Sequence, residues 1–106
     1  MIRARIFKNR AGGMYGFSIE SHGSGIVCAA VSVLAQNTVN SIERFAGGRF
    51  ACDYDESGGY LRFEHGPLKN GEASHDAELL LKAMALGLYG IEEEYGDEIK
   101  ITEEAP

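Results

Sequence analysis

The sequence predicts an α+β domain, a two-layer sandwich in the order β-β-α-β-β-α-β with two helices on one face of a mainly antiparallel sheet. Three observations carry this. Apolar and polar side chains alternate over residues 2–8, 14–20, 49–54 and 60–64, the period of a half-buried strand. Apolar residues instead recur at spacings of three and four over 27–45, and again between Ser74 and Gly96, the period of an amphipathic helix. Clusters of Gly, Asn and Asp punctuate the segments. Helices and strands that bury only one side pair off into two layers.

Taken in order, Ile2, Ala4 and Ile6 share one face of the first strand, and Arg3 and Arg5 the other. Asn9-Arg10-Ala11-Gly12-Gly13 is a turn, and Tyr15, Phe17 and Ile19 alternate beyond it, so the first two strands form a hairpin. Val27, Val31, Leu34, Thr38, Ile42 and Phe45 mark one stripe of the first helix, from about 27 to 45, which Gly47-Gly48 ends. Phe50, Cys52 and Tyr54 alternate in the third strand, where Cys52 is expected to pack in the core. Asp55-Glu56-Ser57-Gly58-Gly59 turns the chain into a fourth strand, with Leu61 and Phe63 inward. A loop from Gly66 to Gly71 leads to Ser74, a plausible N-cap. The second helix carries Ala77, Leu80, Leu81, Met84, Leu88, Ile91 and Tyr95 on its apolar side, and Ile99 and Ile101 form a short last strand. His65 and His75, in or beside loops, are expected to be solvated.

The chain of 106 residues suits a single domain over 1–106. Leu79, Leu86 and Tyr89 fall off the second helix's apolar stripe, and apolar surface left outside one helical layer predicts a homodimer. No apolar run approaches the ~18 residues of a membrane span, and the first residues lack a continuous apolar signal core, so a cytoplasmic protein is expected. Two cysteines in such a chain argue for thiol chemistry or burial over a disulfide. The net charge of −6 resides in residues 91–106, which hold seven acids against Lys100, while the first ninety residues are balanced. That disfavours nucleic-acid binding and leaves a solvated tail, or an attraction for a basic peptide.

The chemistry concentrates in Ser21-His22-Gly23-Ser24-Gly25-Ile26-Val27-Cys28-Ala29-Ala30-Val31-Ser32. Cys28 falls in the first turn of the first helix, where backbone N–H groups lack intrahelical partners and the dipole is positive, a setting that favours thiolate. His22 is six residues earlier across a glycine turn that can fold back, bringing a base to the sulfur. The bland alternatives are a buried Cys28 and a loop histidine. Ser32, four residues after Cys28, shares its helix face and either supports the site or bonds back to a helix carbonyl. Gly23 and Gly25 permit close approach of a substrate backbone, and helix-mouth N–H groups are the natural oxyanion donors. No third catalytic member is evident; Asn37 and Asp76 are weak candidates to orient His22. A metal site lacks its spacing signature, and no phosphate loop or dinucleotide fingerprint occurs, so no cofactor is expected.

The run Ile26-Val27-Cys28-Ala29-Ala30-Val31-Ser32, with His22 before it, resembles the signature of the ribosomal-processing cysteine proteases, the Prp family. Ser21 stands where that family usually has Gly, Gly23 where it has Ala and Gly25 where it often has Asp, and the loop between His22 and Cys28 is shorter. The resemblance implies a cysteine endopeptidase with His22 as base and Cys28 as nucleophile. The implied partner is the N-terminal extension of a ribosomal protein precursor, that of the large-subunit protein bL27. A homodimer is implied as well. The acidic end and shortened loop also fit a non-catalytic ribosome-assembly or peptide-binding factor of the same fold. A thiol redox role for Cys28 lacks a resolving cysteine nearby in sequence.

Overall fold

The computed structural model describes residues 1–21, 25–56 and 58–106. Strand β1 (Ile2–Lys8) pairs antiparallel with β2 (Met14–Glu20). Asn9 shapes the turn between them: its Oδ1 accepts the N–H groups of Ala11 and Gly13 at 3.0 and 2.9 Å, and its Nδ2 donates to the Leu68 carbonyl at 2.9 Å. Helix α1 (Ile26–Ser41) follows and runs on into a π-helical turn, Ile42–Ala46. Strands β3 (Phe50–Tyr54) and β4 (Tyr60–His65) form the second antiparallel pair. A short helix α2 (Gly66–Lys69), a long helix α3 (His75–Glu94) and strand β5 (Ile99–Glu104) complete the chain.

The sheet order is β3-β4-β2-β1-β5, antiparallel except where β5 runs parallel to β1. The alternation read from the sequence sorts the two faces. Ile2, Ala4, Ile6, Phe17, Ile19, Phe63 and Ile99 join Val27, Val31 and Ala35 of α1 and Ala77, Leu81, Met84 and Leu88 of α3 in one core. Phe17 and Phe63, neighbours across β2 and β4, stack with centroids 5.8 Å apart. The expected α+β sandwich is thus the observed one.

The other face of the sheet is charged, and it explains the uneven charge of the sequence. Parallel pairing sets the basic first strand beside the acidic last one. Lys8 Nζ lies 3.0 Å from Glu103 and Arg5 Nη1 lies 3.2 Å from Glu104. Phe7 is buried on this face because the Arg62 guanidinium covers its ring at 4.7 Å. Part of the acidic tail is therefore tied to the sheet.

Several expectations need correction. The first helix keeps α geometry only to Ser41; the last turn widens to a π-turn, with the Gly47 N–H bonded to the Ile42 carbonyl at 2.8 Å. The loop after β4 contains α2, and the reason is His65. That side chain, expected in solvent, is fully buried. Its Nδ1 accepts the Leu68 N–H at 3.4 Å and caps α2, so its Nε2 carries the proton and donates to the Gly47 carbonyl at 3.0 Å. Gly48, at φ 93°, leaves the ring its space: a Cβ there would stand 2.7 Å from Nε2. Ser74 holds the N-cap position of α3, but its side chain makes no cap bond. His75 is exposed, as expected. Cys52 is only half-buried, because β3 is the sheet edge and its inward face looks into a groove.

Candidate active site

The site forms where β2 ends and α1 begins. Ser21 continues β2 by one residue: its N–H donates to the Gly59 carbonyl at 3.0 Å, which fastens it to the turn between β3 and β4. Beyond the next three residues the chain re-enters at Gly25, the N-cap of α1, with φ 112° and ψ −172°. A side chain is strained at that φ, so glycine suits the position. The first intrahelical bond runs from the Ala29 N–H to the Gly25 carbonyl at 3.1 Å. The N–H groups of Ile26, Val27 and Cys28 precede it and have no acceptor within the helix, and they stand at the positive end of a sixteen-residue helix, a setting that favours an anion.

Cys28 is thus the third residue of α1, half-buried and packed against the core, with a free thiol. Its Sγ lies 2.9 Å from Ser21 Oγ. Ser32, one turn further, is also half-buried. It lines a cavity of about 340 Å³ between α1 and the β3–β4 hairpin. Ile19, Ala35, Val39 and Leu61 give this cavity apolar surface, and Tyr54 and Tyr60 add aromatic rings. Ser21 lines it as well, so the residue in contact with the thiol also borders the groove. A concave, mainly apolar site with a few polar groups is the form a side-chain pocket takes. The second thiol, Cys52, lines the same cavity, and burial together with the neighbouring Asp53 pushes its pKa up, which keeps it protonated.

The predicted residues can now be placed. Cys28 stands at the helix mouth, Gly25 caps it, and Ser32 faces the groove. His22 and Gly23 lie outside the described residues. Asn37 is on the exposed side of α1, and Asp76 pairs with His75 at 3.2 Å at the start of α3. Sequence reasoning missed the Ser21 contact and the tyrosines of the groove. Alternation puts Tyr54 on the same face as Cys52, but no periodicity shows that this face borders a groove or that Ser21 meets the thiol; the Ser21 position depends on how β2 and β4 register, since Glu20 opposite Tyr60 brings Ser21 against Gly59.

Residues 1–100 match the family model described as cysteine protease Prp. The chain belongs to the Prp family of cysteine proteases. The ribosomal processing cysteine protease Prp of Bacillus subtilis is 32% identical over 108 residues, which is 96% of each chain. The essential ribosomal processing protease Prp from S. aureus, solved with a covalently linked product peptide, has a TM-score of 0.87 to this chain at 30% identity, over 98% of this chain and 100% of the other. The same S. aureus protease with a substrate peptide gives 0.86 at 28% identity, over 98% and 100%. The chain is a cysteine-type peptidase, and the alternative of a non-catalytic binding factor lapses. Among the described residues no helix is long and apolar enough to cross a membrane.

Proposed function

We propose that this chain is a cytoplasmic cysteine endopeptidase that removes the N-terminal extension of a large-subunit ribosomal protein, the bL27 precursor. Cys28 is the nucleophile and His22 the general base. The observation that carries this is the seating of Cys28 in the first turn of α1, with N–H groups that have no intrahelical acceptor around it and a groove beside Ser21, which touches its sulfur. The S. aureus relative with a peptide covalently linked supports the same reading.

The chemistry runs in two halves. His22 takes the thiol proton, and Cys28 Sγ bonds to the scissile carbonyl carbon. Charge develops on the carbonyl oxygen, and the backbone N–H of Cys28 and its neighbours are the donors that stabilise it. The carbon–nitrogen bond breaks, the leaving amine takes the proton from His22, and a thioester remains. Water then gives a proton to His22 and attacks the thioester. The carbon–sulfur bond breaks, releasing the new carboxyl end and restoring the thiol. The cavity lined by Ile19, Leu61, Tyr54 and Tyr60 suits an apolar side chain of the peptide.

The working unit is a homodimer. Val33 on α1 and Leu86 on α3 are 67% and 75% exposed, a pair of apolar side chains left uncovered on the helical layer among the described residues.

The test is incubation with a peptide spanning the bL27 extension, followed by mass spectrometry. The expected result is one cleavage, abolished in Cys28→Ala and reduced by about 10²-fold or more in His22→Ala. An untouched peptide in the presence of active-site-titrated protein would remove bL27 as the substrate.

A further inference from the structure

We propose that Ser21 is a positioning residue for the nucleophile: its hydroxyl holds Cys28 Sγ at the helix mouth and donates a hydrogen bond to the sulfur once it has ionised. This rests on Cys28 being the nucleophile, as proposed above. Two independent features fix the hydroxyl. The Ser21 Oγ to Cys28 Sγ distance is 2.9 Å, close enough for a direct hydrogen bond. The Ser21 backbone does not float, since its N–H is tied to the Gly59 carbonyl at 3.0 Å and it follows directly on the last residue of β2. The hydroxyl is therefore presented from the sheet, while the sulfur is presented from the helix, and their contact fixes the distance between the two elements at the reacting atom.

The direction of the bond matters. In the neutral thiol either group can be the donor. Once the proton has left, the sulfur can only accept, and the Ser21 O–H becomes the donor. A hydrogen bond to an ionised acceptor is roughly twice as strong as one between neutral groups, so the contact strengthens once the proton has left. The hydroxyl also limits the rotamers open to Cys28, which keeps the sulfur at the helix mouth beside the residue that borders the groove.

Other titratable groups surround the groove. Cys52, Tyr54 and Asp55 face it from β3 and its turn, and Tyr60 faces it from β4. Glu20 precedes Ser21 on β2, 3.7 Å from Arg5. His22 follows it. None of these is altered by a substitution at Ser21, and the Ser21→Thr variant, which keeps the hydroxyl, separates its effect from that of a displaced backbone.

The experiment is the pH profile of Cys28 alkylation by iodoacetamide, read at the Cys28 peptide by mass spectrometry so that Cys52 does not contribute. Ser21→Ala and Ser21→Gly both remove the hydroxyl; Ser21→Thr keeps it. The expected outcome is an upward move of the profile by about one pH unit in the first two, a tenfold loss of thiolate below the midpoint, and a return to the native profile in Ser21→Thr. With substrate peptide, kcat falls by about the same factor and KM is held. Profiles that superimpose for the native protein and both hydroxyl-free variants would overturn the proposal, as would a shift that Ser21→Thr fails to restore. The alkylation profile needs no peptide turnover, so failure of the endopeptidase reading and failure of this one are told apart.

Discussion

At the scale of single residues, the two thiols show how position decides chemistry. Cys28 has helix N–H groups and a hydroxyl around its sulfur; Cys52, on the sheet edge beside Asp53, has burial and a like charge against its ionisation. His65 makes a different point. Its ring is shared between the half-buried Gly47 carbonyl and the buried Leu68 N–H, at the corner that joins the π-turn to α2. His65→Leu fills much of the volume but leaves both backbone groups without a partner. The expected loss is about 1–3 kcal/mol of stability, measured by urea unfolding. An unchanged midpoint would mean that water reaches these groups and that the ring is dispensable. His65 was also the clearest miss of the sequence reading. A histidine between a strand and a Gly-Pro pair looks like a loop residue, and only the tertiary return of Gly47-Gly48 toward β4 buries it. Cys28, by contrast, was legible, because a glycine turn and the start of an apolar period locate a helix N-terminus without reference to the rest of the fold.

At the scale of elements, strand and helix placement followed from period alone, since a half-buried strand and a one-sided helix each need their own spacing. The ends did not. The π-turn after Ser41 and the helical turn at Gly66–Lys69 depend on where a carbonyl or an imidazole from another element sits. The seam between α3 and β5 carries a pH signature. Tyr89 donates its hydroxyl to Glu103, and this bond, with some burial and the nearby acids Glu103 and Glu92, pushes the tyrosine up from about 10 to about 12. Glu103 in turn is lowered by the Tyr89 hydrogen bond and by Lys8. The raised tyrosine contributes stability that is whole below about pH 10 and is lost as the pH climbs toward 12. The lowered carboxylate contributes stability present above its ordinary range and lost as the pH falls through its depressed value. Spectrophotometric titration near 295 nm should therefore show one tyrosine ionising after the others, and Tyr89→Phe should remove that late step. A single tyrosinate transition with no late component would contradict the seam.

At the scale of the whole molecule, the chain solves two problems by one pairing. Running β5 parallel to β1 completes the sheet and brings the acidic end onto the basic beginning, through Lys8–Glu103 and Arg5–Glu104. The sequence displays the charge imbalance, but not the pairing that uses it. What it displays on the helical layer is an apolar surplus, and Leu86 is its most exposed member on α3. Analytical ultracentrifugation is expected to give the mass of two chains, and Leu86→Lys the mass of one with the native circular dichroism. A two-chain mass that survives Leu86→Lys would move the interface elsewhere.

The central claim is that Cys28, at the mouth of α1, forms the covalent intermediate. The most direct measurement is intact-protein mass spectrometry after rapid acid quenching of the protein with the bL27 extension peptide. The account predicts a transient mass increase equal to the acyl half of the peptide, mapped to Cys28, removed by hydroxylamine and absent in Cys28→Ala. Cleavage that proceeds in Cys28→Ala, or an acyl group carried by any other residue, would contradict it.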